Sequence, residues 1–485
     1  MPDIITPLPT VVKPGRSVLQ KGGGGDIIRW KTSGGVNMLV RDKKFYRDFF
    51  SMALTIALQN LIVYGVNLAD NIMLGAYSEI ALSGVSIANQ VQFLLQMVVT
   101  GTAVGMGVIA SQYWGKQETE PIKRVFAVSF WIGLFLSLLM AAVIFIAPQR
   151  VMQLLTNESS VIPSGVQYLK IMAFSYVLFA VSNLLLGVMR SVETVKIGFY
   201  ISLITLFVNV FLNYTLIYGH FGAPELGVRG AAYATLTSRI AEFAFCVVYC
   251  RFIDKKLRLK IKDIFIIERS YIRDFFKAGL PLLLSNISWG IAMSVQTAIL
   301  GRLGASSIAA SSIAQTLFQC VSVMAYATGN VAAVLTGKAV GGGDMKRVKD
   351  GARAMQLLFL GIGLMTSLVL FLTRRPIISL YDAAEQTKTL ANTFILILCV
   401  TCIGTAYQMP ALTGIVSGGG DTKFVLINDI IFMWCVVLPL SSISAFVLHF
   451  PPAVTFALLK ADQILKCFVA VFKVNRFKWI KVLTR

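Results

Sequence analysis

The chain has 485 residues, of which 56% are hydrophobic and 14% charged, with a mean hydropathy of +0.73. Soluble chains average roughly 45–50% apolar and about 25% charged residues, so this composition excludes an ordinary soluble domain and points to a protein that crosses a membrane many times. A formal net charge of +21 would suggest nucleic acid in a soluble protein, but here Lys and Arg fall in short segments between apolar runs, which fits the positive-inside rule and not a continuous phosphate-binding face.

Residues 1–40 are rich in Gly and Pro and lack the apolar core of about 7–15 residues that a signal peptide needs. Their composition predicts a disordered leader. The basic, helix-compatible "MLVRDKKFYRDFF" opens at Met38 and runs into the first apolar segment, so Met38 is expected to be the native start. A span needs about 20 mostly apolar residues. Twelve are predicted, at roughly 47–75, 83–113, 125–147, 165–189, 197–219, 229–251, 274–301, 308–337, 354–373, 389–416, 424–448 and 452–472. The basic stretch "RFIDKKLRLKIKDIFIIERSYIR" separates the sixth from the seventh. The predicted organisation is a lobe over 41–252, a linker over 253–272, a second lobe over 273–475 and a basic tail over 476–485. With the N-terminus inside, the cytoplasmic segments from Arg41 onward hold about 28 Lys and Arg against about 7 outside, which puts both termini in the cytoplasm. Six spans per half is an even number, so the halves enter the membrane in the same direction and form a parallel repeat.

The repeat is visible in the letters. "ADNIMLGAYSEIALSGVSIANQ" from Ala69 superposes on "VQTAILGRLGASSIAASSIAQT" from Val295 with a shift of 226, aligning Leu74 with Leu300 and Gly75 with Gly301. "LLGVMRSVETVK" from Leu185 superposes on "LTGIVSGGGDTK" from Leu412 with a shift of 227, aligning Gly187 with Gly414 and Lys196 with Lys423. Two separate blocks keeping nearly one shift identify a duplication. Within it, Asp70 in the first copy becomes Gln296 in the second.

A carboxylate at membrane depth costs about 2.5–3.5 kcal/mol on insertion scales, and low dielectric disfavours the charged form of any carboxyl unless a cation arrives. Asp70 therefore reads either as a site that takes a proton, Na⁺ or a cationic substrate in turn, or as an interfacial cap. Asn209 and Asn213 are four apart and share one helix face. They can add neutral oxygens beside Asp70, or make interhelical hydrogen bonds worth about 0.6 kcal/mol. Asp429 reads as an interfacial acid near the start of the eleventh span. Arg239 with Glu242, and Asp462 with Lys466, have the spacing of neutralised structural pairs near cytoplasmic ends.

Other chemistries are poorly supplied. The seven cysteines lie in or beside apolar segments as small hydrophobes, and the C-x-x-C at Cys399 and Cys402 has no second pair and no His beside it. His220 and His449 are the only histidines, too few for metal catalysis. Gly341–Gly343 and Gly418–Gly420 are read as tight turns, since no G-x-x-x-x-G-K-[ST] accompanies them, and no ATP is expected.

The succession "LADNIMLGAYSEIALSGVSIANQ", "GVIASQYWGKQE", "GVMRSVETVK", "NVFLNYTLIYG", "GVRGAAYATLTSRIAE", "AILGRLGASSIAASSIAQ", "AAVLTGKAVGGGD" and "GGGDTK" resembles the multidrug and toxic compound extrusion (MATE) family over essentially all of 41–485. The resemblance implies an all-α polytopic fold, two six-helix bundles arranged as a V, and export of amphipathic, often cationic compounds by antiport with H⁺ or Na⁺. It also implies that the acidic residue of the first motif, Asp70, couples to the ion, with Asn183 and Thr235 as further members of its pocket. In the branch this chain most resembles, the position matched to Asn213 is often Asp, so Asn there leaves fewer negative charges for Na⁺. Branches that use an acid in the seventh or tenth span find no counterpart here, because 275–300 and 389–417 hold no Asp or Glu. A substrate cavity would draw on Tyr64, Phe93, Met97, Trp289, Met293 and Tyr326, since unselective binders use aromatic and Met surfaces that repack.

The expectation is thus a secondary transporter of the cell membrane acting as a monomer, with alternating access, a small amphipathic substrate, no cofactor beyond the coupling ion, no ATP and no nucleic acid. A lipid-linked saccharide flippase of related architecture would need a cationic cavity, and the first-half spans offer little beyond Arg239 and Lys170. A membrane-embedded transferase would need a His–Asp or paired-acid constellation that the chain does not supply.

Overall fold

The computed structural model describes residues 42–381 and 383–485. The leader and the start at Met38 read from the sequence lie outside the described residues. Regular structure among the described residues is helical: α1 Lys43–Tyr77, α2 Glu79–Gly115, α3 Thr119–Ile146, a short α4 Pro148–Leu155, α5 Ile162–Ser191, α6 Lys196–Tyr218, α7 Val228–Val248, a short α8 Arg269–Asp274, α9 Leu280–Gly301, α10 Ala305–Gly341, α11 Met345–Ile378, α12 Glu385–Met409, α13 Thr422–Ile430, α14 Leu438–Phe446, α15 Pro452–Leu459 and α16 Asp462–Asn475. In a bilayer only structures that satisfy their own backbone groups can span, which selects helices for these apolar runs. Among the described residues, ten helical stretches are long and apolar enough to cross a membrane. They account for all the predicted spans except the sixth, which is α7, and the twelfth, which is divided between α15 and α16. Exposed Phe135, Leu138, Leu139 and Phe145 on α3 give the surface that acyl chains cover.

Local chemistry sets the breaks. Asp42 caps α1 by accepting from the Lys44 backbone at 2.9 Å, and Ser78, the single residue between α1 and α2, caps α2 by accepting from Ala81 at 3.3 Å. Pro410 has no N–H to give, and the tenth span widens into a π turn over Pro410–Val416. Another π segment, Ile431–Val437, joins α13 to α14.

The hydrophobic core shows how the lobes meet. At the α1–α2 turn, Leu74, Val85, Tyr176 and Ile217 form a cluster of first-lobe residues alone, and Ile313, Phe394 and Phe456 belong to a cluster of second-lobe residues alone. At the other end, Phe49 and Ile56 of α1 share one core with Val331, Phe359 and Ile415 of the second lobe. There α2 and α10 approach backbone to backbone: a Cβ on Gly341 would come within 1.8 Å of the Gln112 carbonyl oxygen, and one on Gly115 within 2.1 Å of the Lys338 carbonyl oxygen. The lobes are fused at the end where α2 and α10 finish and have separate cores at the end where Asp70 lies.

The basic tail is part of this fused end. Trp479 is fully buried against Gly419, and Lys481 donates its backbone N–H to Gly419 at 2.7 Å. Gln112 of α2 donates to the carbonyls of Gly418 and Lys481, both at 3.2 Å, and accepts from the Leu483 backbone at 2.8 Å. One first-lobe amide thereby ties down both a second-lobe turn and the tail.

Candidate functional site

α1 carries Asp70 two turns before its end, and α6 packs beside it with Asn209 and Asn213 on the face turned inward. The sequence forms this face because the two amides are one helical turn apart in an otherwise apolar helix. Asn213 donates from Nδ2 to Asp70 Oδ1 and to Asn209 Oδ1, the latter at 3.1 Å. Asn209 and Asn213 are out of contact with solvent, at 1% and 0% exposure, and Asp70 is half-buried. Asn213 Oδ1 and Asn209 Nδ2 are buried without a hydrogen-bond partner. Buried polar atoms are almost always paired, so an unpaired amide oxygen next to a carboxylate is a fitting place for a small cation or a water. The donor set, one carboxylate and neutral amide oxygens, suits a proton or an alkali cation better than a transition metal. No cluster of metal-ligating side chains is found among the described residues.

The other residues expected in this pocket are placed differently. Thr235 on α7 stands beside Tyr168 of α5, a buried phenol within interaction range of Asp70. Asn183 does not join the hydrogen-bonded group: its amide donates to the Phe179 carbonyl one turn back, at 2.9 Å. Arg239, the cation whose field reaches Asp70, is tied to Glu242 at 2.6 Å and lies 4.8 Å over the Phe179 ring. Its charge is therefore shared between Glu242 and Asp70.

The aromatic and Met residues gather along the seam between lobes. Phe93 of α2 faces Trp289 of α9 with ring centroids 6.4 Å apart. Met97 is buried where α2 crosses α9, close enough that a Cβ on Gly290 would lie 2.8 Å from its Cγ. Met293 is one turn from Trp289 on α9 and half-buried, and Tyr64 and Tyr326 sit within interaction range across α1 and α10.

The second lobe holds a charged group of which spacing alone predicts only a local pair and an interfacial acid. Lys466 meets Asp462 at 3.5 Å as its spacing predicts, but also reaches Asp429 on α13 at 2.9 Å. Ser285 on α9 donates to the other Asp429 oxygen at 2.5 Å. Asp462 and Lys466 are inside the bundle, at 1% and 4% exposure, because α16 packs against α12 and the adjoining π segments and has no free polar face at that level.

The MatE family profile matches residues 55–215 and 281–443, one block in each lobe and together more than half of the chain. The chain belongs to the MatE family, a family of membrane transporters. A Bacillus subtilis protein, "Uncharacterized transporter YisQ", is 24% identical over 426 residues, covering 87% of this chain and 92% of its own length. A "Probable multidrug resistance protein NorM" from Thermotoga maritima is 24% identical over 395 residues, covering 81% and 84%. Among solved structures, a multidrug resistance MATE family transporter of the MOP superfamily described as outward-facing superposes with a TM-score of 0.81 at 19% identity, covering 92% of this chain and 99% of its own. A MOP superfamily transporter from Pyrococcus furiosus superposes with a TM-score of 0.82 at 18% identity, covering 94% and 100%. These likenesses establish the fold: twelve spans in two related six-helix bundles.

Proposed function

We propose that this protein is a secondary multidrug exporter that moves amphipathic, cationic compounds out of the cell in exchange for H⁺ or Na⁺, with Asp70 holding the coupling ion. The observation that carries the reading is the Asp70–Asn213–Asn209 group, a half-buried carboxylate held by one amide and bordered by an unpaired amide oxygen. The multidrug resistance named for the NorM relatives supports the substrate class. With the N-terminus inside by the count of basic residues, the fused end of the lobes is cytoplasmic and the separated cores face outward. An ion would then enter from outside, bind at Asp70, and favour release of the compound held between Phe93, Trp289 and their neighbours. The lobes would next rock about the seam to expose the cavity inward. Energy comes from the ion gradient, and both termini stay in the cytoplasm.

Dye efflux from vesicles under imposed pH or Na⁺ gradients tests this. Wild type is expected to export without nucleotide, and Asp70→Asn to lose gradient-driven export while still binding dye. Full gradient-driven export by the mutant would remove the role of Asp70, and export that requires ATP would overturn the antiport reading.

A further inference from the structure

Lys466 stands in the second lobe where two carboxylates and a hydroxyl converge. Asp429 and Asp462 lie 2.9 and 3.5 Å from its ammonium, and Ser285 holds the remaining Asp429 oxygen. Gln463 donates to Asp462 Oδ2 at 2.9 Å, whereas Asp462 Oδ1 is buried without any partner. A buried carboxylate, Asp462, and a half-buried one, Asp429, therefore share one ammonium. The other cation nearby, Lys460, turns to α9 instead, donating to Gln296 Oε1 at 3.3 Å with its ammonium 5.8 Å from the Phe456 ring.

The backbone breaks at the same level. α15 ends at Leu459, Lys460 and Ala461 donate to the Ala457 and Leu458 carbonyls at 3.1 Å each in a tight turn, and α16 restarts at Asp462. Irregular backbone at membrane depth persists only where protein encloses it or a cavity adjoins it, and interrupted helices are where membrane proteins build ion sites. The restart places Asp462 in the first turn of α16, where the N–H end of the helix favours a charged carboxylate that then needs a cation beside it.

We propose that the Lys466 ammonium is a tethered stand-in for an exchangeable monovalent cation: Asp429, Asp462 and Ser285 form an oxygen site that this lysine fills permanently. The two lobes would then share one scaffold but differ in what neutralises their carboxylates. The first lobe waits for a mobile ion at Asp70, and the second carries its own. One mobile ion per cycle, not two, would follow. A merely structural ion pair with the same distances makes a different prediction once the lysine is gone. It leaves a destabilised protein indifferent to the identity of the salt, whereas a filled cation site becomes a cation receptor.

The test is sodium binding by purified Lys466→Met protein that also carries Asp70→Asn, so that its result does not depend on the first-lobe reading. Radiolabelled Na⁺ uptake and melting temperature are followed as Na⁺ replaces choline in alkaline buffer. Saturable uptake with a sodium-dependent rise in melting temperature is expected. Both should be absent from Asp70→Asn with native Lys466 and from Lys466→Arg in the same background, and affinity should weaken about tenfold or more when Asp429→Asn is added. A folded, monodisperse Lys466→Met/Asp70→Asn protein that takes up no sodium would overturn the proposal, as would uptake that survives unchanged without the Asp429 carboxylate. If that protein is too unstable to purify, its recovery on extraction becomes the readout. Several-fold better recovery in sodium than in choline is expected, and equal recovery overturns the assignment.

Discussion

Asn213 holds the Asp70 carboxylate in place while its own amide oxygen stays unpaired. A hydrogen bond to a charged group contributes about 1.5–3 kcal/mol. Asn213→Leu removes it together with the bond to Asn209, so gradient-driven dye efflux is expected to fall about tenfold to a hundredfold. Asn183→Ala, by contrast, deletes an amide that serves only its own helix, and should cost less than about threefold on the same reasoning. Equal losses in the two variants would show that the amides act through helix packing alone. These residues were legible in the sequence to different degrees for a physical reason. The Asn209–Asn213 pair is local, and four-residue spacing fixes a shared face. Asp429 finds its lysine 37 positions away and its serine 144 positions away, and no spacing rule reaches that far, so it reads as an interfacial acid. The cue that was present is the crowding of Lys460, Asp462 and Lys466 inside an apolar run.

At the scale of elements, hydropathy finds where the spans are but not where they bend. The twelve segments were predictable because about 20 apolar residues have nowhere else to go. The turn at Lys460–Ala461 has no Pro or Gly to mark it in the letters, unlike the π segment that opens at Pro410. The basic tail is a second case. Read as charge it is a topogenic signal, yet Trp479 within it is buried and Asp421, ahead of α13, is gripped by Lys473 and Lys481 at 2.8 Å each. Burial alone would push the Asp421 carboxyl up, but the two ammonium groups outweigh it and hold it below the usual carboxylate range. A carboxyl depressed in the folded state adds stability that is complete above its unfolded value of about 4 and is lost as pH falls through the lower folded value. The tail should therefore resist pepsin at about pH 4 and yield only in stronger acid, whereas Asp421→Asn should be cut after Phe477 or Trp479 across the whole acid range. Identical cleavage of the two proteins would mean that the tail is held by Trp479 and Gln112 without help from this ion pair.

For the whole molecule, the proposed exchange requires lobes fused at one end strongly enough to seal it and weakly enough to part. Apolar burial and close glycine contacts supply the seal, as Gly341 against Gln112 shows. Lys338 of α10 adds a polar clasp, reaching both oxygens of Glu193 in the α5–α6 turn at 2.7 Å. Its side chains are 40% and 23% exposed, so the pair is screened and contributes only about 0.2–1 kcal/mol, at most about a fivefold bias toward the fused state. That small value suits a contact that the proposed alternating-access cycle would break on each turn, since a buried pair costing about 3–5 kcal/mol to separate would hold the lobes shut. Lys338→Glu places two carboxylates together and should speed amide hydrogen exchange in 111–116 and 337–342 up to about fivefold at low salt, with less effect at high salt. The swap Lys338→Glu with Glu193→Lys rebuilds the pair in reverse and should return exchange close to wild type. If exchange stays fast in the swapped protein, the clasp depends on the partners of Glu193 in its own lobe, Trp114 foremost at 3.4 Å, and the electrostatic share of the seal is negligible.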